Sequence, residues 1–340
     1  MKKWLVLGIF LAGIFSNTGM NKMNINAQEI LNIGTNPIGS GFHIIGVGIS
    51  RIVEKYTQLK MKVIPMDAAH VFIPRMATKE IDLGIASNWN AEKAYFGESI
   101  YKELSKGEGF PVNLLCVIQQ IKISAVVAGS SDITKISDLK GKRVAGPIPN
   151  PAIQLQTEAI LANGGLKWSD IKPVPVKSVT EGVKAVIEGR ADAAMVALGT
   201  PVVEELQAKK GARFLPIDPS PEAVKRTAEV FPGYPVKVVP RPGLTGIEKE
   251  QYLWAFDVYL IVREDLPESI VYEITKTLWE HCDELSAVHA DLKDLQPTMF
   301  VSRNTLIPYH PGAIKLYKEK GVWTKDMEEL QKILLSKKQK

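Results

Sequence analysis

The sequence predicts an α/β protein of two lobes with mostly parallel sheets and a hinge between the lobes. Three observations predict it. Short apolar runs of strand length alternate with stretches of helical periodicity over nearly the whole chain. One long apolar run, Leu114 to Val127, interrupts the pattern, which then repeats. The chain is also too long for one small core and suits two domains.

The first unit is LNIGTNPIGSGF, Leu31 to Phe42. Leu31 and Ile33 alternate with polar neighbours as in a strand, and Gly39, Ser40 and Gly41 leave the backbone free to bend. Apolar residues then recur at helical spacing from Phe42 to Tyr56. A helix opening on such a turn points unpaired N–H groups and its positive dipole end into the space beyond the strand, which suits a carboxylate or another small anion. A phosphate loop would end in Gly-Lys-Ser/Thr, whereas Phe42 and His43 hold those places. A plain strand-to-helix turn uses the same residues.

A strand at Met61 to Pro65, a helix near His70 to Lys79 and a strand at Ile81 to Ala86 follow, then the polar turn Ser87-Asn88-Trp89-Asn90. Helical material and a glycine-rich stretch (Gly107, Gly109) lead to the long apolar run. That run reads as two strands or one crossover segment, with Gln119, Gln120 and Lys122 marking the break between lobes. In the second lobe Ser137 to Gly141 is a turn. Strands are expected at Arg143 to Gly146, Val174 to Val176, Ala191 to Ala197 and Arg213 to Ile217, with helices at Ile153 to Asn163, Thr180 to Glu188 and Pro201 to Lys210. The Pro- and Gly-rich segment from Phe231 to Gly246 is the second candidate crossing. An apolar strand, Leu253 to Val262, and a long helix from Pro267 to about His289 come next, and helices near Pro311 to Lys320 and Lys325 to Leu335 return to the first lobe. Residues 28–120 are thus the first part of lobe 1, 121–243 lobe 2, and 244–340 the return strand and helices, mostly of lobe 1. Two crossings make a hinge, and a hinge between α/β lobes makes a cleft that can close.

Ahead of the first strand, Lys2 and Lys3 precede an apolar run from Trp4 to Phe15 and a polar stretch reaching Ala27. The run is about half the length a membrane span needs. Residues 1–27 read as a secretory signal peptide cut between Ala27 and Gln28, with an uncleaved anchor as the rival. No Cys near the cut offers a lipid anchor, so a periplasmic protein is expected. Loss of three lysines lowers the formal charge from +5 to +2, and no basic run exceeds the terminal Lys337, Lys338 and Lys340 cluster. Such a balance argues against nucleic acid as a partner. Cys116 and Cys282 lie far apart in apolar or amphipathic surroundings and read as buried free thiols, though an exported protein can form a disulfide. The five His residues (His43, His70, His281, His289, His310) are scattered, and no metal or cofactor is expected.

Five stretches carry a family resemblance: IGTNPIGSGFHIIG (Ile33 to Gly46), KEIDLGIASN (Lys79 to Asn88), ISDLKGKRVAGP (Ile136 to Pro147), EGRADAAMVALGTP (Glu188 to Pro201) and PYHPGAIKLYKEKGVW (Pro308 to Trp323). In that order, over essentially the whole mature chain, they resemble the TAXI subfamily of extracytoplasmic solute receptors of tripartite ATP-independent periplasmic (TRAP) transporters. The LKGKRV stretch alone is common to many two-lobe binding proteins; the HPGA ending makes the set specific. The resemblance implies a type II, Venus-flytrap periplasmic binding protein. Such a protein captures an organic acid, commonly glutamate or a related dicarboxylate, and delivers it to TRAP permease subunits driven by an ion gradient.

Two departures bear on the solute. Where the family has a Gly-Ser-Gly-Thr turn opening a second-lobe helix, this chain has Pro147, Ile148, Pro149, Asn150, Pro151 and Ala152. Proline has no N–H to offer, although Pro151 suits a first helical position with Asn150 as its cap. Where the family tends to place a Tyr, the chain reads Pro242 to Gly246 with Leu244 and no aromatic hydroxyl. Both changes point to a more apolar carboxylate than glutamate.

Ligands of open α/β sheets lie beyond the carboxyl ends of the strands. The candidate contacts are therefore Asn36, Ser40, Gly41 and Phe42 at the first strand end and Ser87, Asn88 and Trp89 at another. Asn150 and Gln154 stand at the second-lobe helix start, Gly199 and Thr200 close the set, and Gln120 lies at the crossing. Asn150 and Ser87 serve equally as helix caps, and Trp89 is either a cleft wall or a core aromatic. Arg241 could reach a carboxylate, whereas Arg75 and Arg143 read as structural. No catalytic residue is assigned: no Gly-x-Ser-x-Gly elbow occurs, and Asp82 and Asp192 fit acidic caps at strand starts. A binding protein of an ATP-driven importer or a sensor is the alternative within the same fold, and an enzyme the alternative outside it.

Overall fold

The computed structural model describes residues 30–288, 292–293 and 295–338. The predicted signal peptide and its cut after Ala27, and His289, lie outside the described residues. The first units are β1 (Ile30–Thr35), α1 (Gly41–Tyr56), β2 (Lys60–Pro65), α2 (Ala69–Ala77), β3 (Leu83–Ser87), α3 (Asn88–Phe96) and α4 (Tyr101–Leu104). The long strand β4 (Val112–Ala128) leads to β5 (Arg143–Ala145), α5 (Pro151–Asn163), β6 (Lys172–Val174), α6 (Val179–Ile187), β7 (Ala193–Ala197), α7 (Pro201–Lys210) and β8 (Ala212–Phe214). The chain continues through α8 (Pro221–Val230), β9 (Tyr234–Val238), β10 (Gln251–Arg263), α9 (Glu268–Glu280), α10 (Cys282–Val288), α11 (Pro311–Glu319) and α12 (Lys325–Lys337).

The strands run in the order β2-β1-β3-β10-β4-β7-β5-β6, with β8 on β4 and β9 on β10. In one lobe β1 pairs in parallel with β2 and β3, and in the other β5 pairs in parallel with β6 and β7. Between them β4 and β10 run antiparallel to each other and to their neighbours. The chain therefore has the two-lobe α/β architecture expected of it, with antiparallel pairing supplied by the crossing strands.

The long apolar run is one strand of 17 residues. Gln119, Gln120 and Lys122 do not break it, because its ladder with β10 continues from Trp254↔Ile123 to Arg263↔Val112. Two register shifts leave Ile118 and Leu115 as extra residues on β4, and such bulges bend a strand without ending it. The second crossing is made by β10 and not by the Phe231 to Gly246 segment. Phe231 and Pro232 touch α3, where Asn88 Nδ2 donates to Pro232 O at 3.2 Å, and the chain then turns back as β9 along β10. The helix expected from Pro267 to His289 is divided at His281 into α9 and α10.

Each lobe anchors its central strand with an aspartate. Asp82 Oδ2 accepts the Asn32 N–H at 2.8 Å and Asp192 Oδ2 accepts the Arg143 N–H at 2.7 Å. Both are the acidic strand-start residues singled out in the sequence. Their environments differ: Asp82 pairs with the buried Arg263 at 2.8 Å, whereas Asp192 pairs with the half-exposed Arg143 at 2.6 Å. The Arg143 guanidinium holds the Asp192 carboxyl below its ordinary pKa.

Glycine in the first-lobe strands answers a close approach. A Cβ on Gly84 would stand 2.4 Å from the Phe72 ring, and one on Gly34 2.8 Å from it, so α2 can settle on the sheet only over bare backbone. Cys116 and Cys282 are buried free thiols, and burial pushes the Cys282 thiol up to about 11. Among the described residues no helix is long and apolar enough to cross a membrane.

Candidate binding cleft

Parallel strands place their carboxyl ends along one edge of each lobe, and the helix that follows each strand starts there. In the first lobe β1 feeds α1, β2 feeds α2 and β3 feeds α3; in the second β5 feeds α5, β6 feeds α6 and β7 feeds α7. All six helices present residues of their first turn or cap to a single cavity of about 420 Å³. From the first lobe come Asn36, Ser40, Gly41 and Phe42, then Ala68, Ala69 and His70, then Ser87 and Asn90. From the second come Asn150, Pro151, Ala152, Ile153 and Gln156, then Val179 and Thr180, then Ala197 and Thr200. Ile121 and Ile123 of β4, Phe256 of β10 and Met195 and Val196 of β7 form the floor, with Ile100 at the side. Among the described residues that line this cavity there is no Asp, Glu, Lys or Arg.

The helix starts are capped unequally. Ser40 Oγ accepts the His43 N–H at 3.2 Å, Ser87 Oγ the Asn90 N–H at 3.3 Å and Asn150 Oδ1 the Ile153 N–H at 3.3 Å. At α2 the cap position is Ala68, which has no side-chain acceptor, so no cap reaches that helix start. Alanine at a helix cap costs roughly 1 kcal/mol against Ser or Asp. Each helix end adds a positive partial charge, and a cleft floored by apolar side chains screens those charges weakly.

The structure brings Asn36, Ser40, Gly41, Phe42, Ser87, Asn150 and Thr200 of the expected set to the cavity. The other expected contacts lie elsewhere. Asn88 is buried, with Oδ1 accepting the Trp89 N–H at 2.8 Å and Nδ2 turned to Pro232. Trp89 is 3% exposed and stacks on Phe231, which makes it a core aromatic and not a cleft wall. Gln120 lies on the opposite face of β4 from Ile121 and donates to the Tyr234 hydroxyl at 2.8 Å. Gln154 donates to Glu158 at 3.1 Å and borders a separate groove with Pro147 and Pro149. Gly199 sits in the turn before Thr200 with φ +88°, and Arg241 is exposed on the loop after β9. The α2 and α6 helix starts and the floor residue Phe256 belong to the cavity without having been expected there. The strand-end rule reaches the two helix starts, and the alternation of β10 reaches Phe256.

The acids nearest strands stand apart from the cavity. Asp82 and Asp192 hold the strand anchors described above, and Asp257 accepts the Tyr234 hydroxyl. Among the described residues no group of three or more His, Cys, Asp or Glu is placed to hold a metal ion.

The profile of the NMT1-like family matches residues 33–321 of this chain. Among solved structures, a TctC solute-binding protein from Polaromonas is similar, with 12% identity, a TM-score of 0.52 and an alignment covering 78% of this chain and 86% of that one. The periplasmic aliphatic sulphonate binding protein SsuA from Escherichia coli aligns over 88% of this chain and 96% of its own, at 16% identity and a TM-score of 0.47. The probable amino-acid ABC transporter extracellular-binding protein ytmK from Bacillus subtilis aligns over 78% and 97%, at 15% identity and a TM-score of 0.48. At the Polaromonas score the likeness is one of fold, that of a solute-binding protein.

Proposed function

The chain belongs to the NMT1-like family, and from that premise we propose that it is an exported solute-binding protein of the TAXI type, which captures a small organic carboxylate between its lobes and delivers it to TRAP permease subunits. The observation that carries this reading is the convergence of six helix N-termini on a cleft whose lining has no Asp, Glu, Lys or Arg. Amide N–H groups and dipole ends then supply the positive potential for one carboxylate, and neutral donors complete its hydrogen bonds. The uncapped start of α2 at Ala68 and the Gly41 and Phe42 amides of α1 are the places proposed for the carboxylate. Ser40, Ser87, Asn36, Asn150 and Thr200 are proposed as its polar surroundings, and Ile121, Ile123 and Phe256 as the bed of an apolar tail. Residues 1–27 are proposed as a cleaved signal peptide that sends the protein to the periplasm.

A thermal-shift screen of organic acids on the purified mature chain tests the proposal, because a ligand that binds only the folded state raises its melting temperature. Mono- or dicarboxylates with an apolar portion should give the largest rise. A full panel of organic acids without any response would overturn it. The transporter assignment is tested by the neighbouring genes: an ATPase there, in place of a permease of the ion-driven type, would overturn that part alone.

A further inference from the structure

The caps that hold the cleft helices also decide which hydrogen-bonding groups remain for a solute. Ser87 Oγ accepts both the Asn90 N–H at 3.3 Å and the Asn90 Nδ2 at 3.0 Å, which occupies its lone pairs and leaves its own O–H proton to give. Asn90 Oδ1 accepts the Tyr101 hydroxyl at 2.8 Å, and beyond the N–H given to Ser87 its amide keeps one further N–H. Ser40 Oγ accepts from His43 and Asn150 Oδ1 accepts from Ile153, which leaves each its donor, O–H or NH2, and one lone pair. Thr200 is the exception, since its hydroxyl donates to Ala197 O at 2.7 Å. Capping thus spends acceptor capacity on the helices, and the acceptors that remain in the lining, the Asn36 and Gln156 amides, the Thr180 hydroxyl and His70 among them, include no carboxylate.

A cleft with positive helix ends and no carboxylate in its lining treats the two ends of an amino acid differently. It meets the carboxylate, but a desolvated ammonium finds positive helix ends and no countercharge, and an unpaired buried charge is costly. Resting on the carboxylate-capture reading above, we infer that this cleft selects carboxylates that carry no α-amino group.

Calorimetry on the mature protein with matched pairs tests this: 4-methylpentanoate against leucine, and glutarate against glutamate. The acid without the amino group should bind at least about tenfold more tightly within whichever pair binds. Equal or tighter binding of the amino acid overturns the inference while leaving carboxylate capture standing. Binding by none of the four, joined to a silent organic-acid screen, overturns the capture reading and the inference with it. Gln156→Glu and Asn36→Asp put a carboxylate into the lining from either lobe at nearly constant shape. At least one should shift the ratio toward the amino acid, with folding checked by melting. An unchanged ratio in both overturns the charge argument.

Discussion

Tyr234 donates its hydroxyl to Asp257 at 2.6 Å on the face of the crossing strands turned away from the cleft. Gln120 of β4 donates to the same hydroxyl at 2.8 Å, and Ser302 reaches the other Asp257 oxygen at 3.4 Å. The network joins β4, β9, β10 and the returning chain where the lobes meet. Burial raises the Asp257 carboxyl above its ordinary pKa near 3.8, against the pull of the Tyr234 and Ser302 hydroxyls. Between the ordinary and the raised value the folded protein keeps a proton that the unfolded chain releases, so this group's contribution to stability falls as pH rises through that window. Asp257→Asn keeps an acceptor for Tyr234 and removes the titration. Urea midpoints of the variant should gain on the wild type as pH rises from 4 and then hold a constant lead. Parallel curves would mean that the carboxyl is not raised.

Ala68→Asp should move stability and binding in opposite directions. An aspartate there caps α2, adding about 1 kcal/mol to stability, and competes for the amides proposed to hold a carboxylate. A higher melting temperature with loss of the thermal response to acids is expected. Unchanged affinity would remove α2 from the site.

The two strand anchors should differ in weight. Asp82→Ala removes the buried Arg263 pair and the Asn32 N–H bond, leaving Arg263 only the half-exposed Asp265, and should cost about 2–3 kcal/mol, whereas Asp192→Ala breaks a partly exposed pair and one strand N–H bond and should cost about 1 kcal/mol. Denaturant midpoints of the two variants measure the difference. Equal losses would show that Asp265 alone satisfies Arg263.

Trp89→Ala and Asn88→Ala should act on folding. Trp89 fills the core against Phe231, and its truncation should cost about 3–5 kcal/mol. Asn150→Ala should lose the α5 cap, about 1 kcal/mol of stability, and in addition weaken carboxylate binding by about 1–2 kcal/mol if its free N–H bonds the charged group. Calorimetry alongside melting separates the two classes; a Trp89 variant of normal stability and weakened binding would return that ring to the cleft wall.

Small-angle scattering with and without an acid found by thermal shift should show a smaller radius in the bound state, because β4 and β10 leave the lobes joined at one side. An unchanged radius at saturation would mean that the free protein already rests closed.

Much of this architecture was legible because strand ends are marked by the turn chemistry that opens helices. Gly39-Ser40-Gly41 and Asn150-Pro151 announce α1 and α5 by residue type. The start of α2 has no such mark, since Ala68 and Ala69 are neither caps nor breakers, and only its place after β2 gives it away. Trp89 and Asn88 follow a strand just as Ser87 does, and their direction is set by Phe231 and Pro232, distant in sequence. The polar residues Gln119, Gln120 and Lys122 suggest a chain break, yet β4 absorbs them because strand neighbours pair with Gln119, Gln120 and Lys122. Proline and glycine around Phe231 masked α8, which packs against α5, and β9, which pairing with β10 stabilises in spite of them.

The alternation along β4 has a genetic consequence. Ile121 and Ile123 face the cavity while Gln120 faces Tyr234 behind it, and a strand has a period of two. Loss of the Gln119 codon, between the bulge at Ile118 and the pairing of Ile123 with Trp254, would exchange the two faces, putting Lys122 under the solute and Ile121 against Asp257. The register of a few residues is thus as constrained as any side chain in the cleft, and length variation among descendants of this gene should spare this strand and collect in the loops around it.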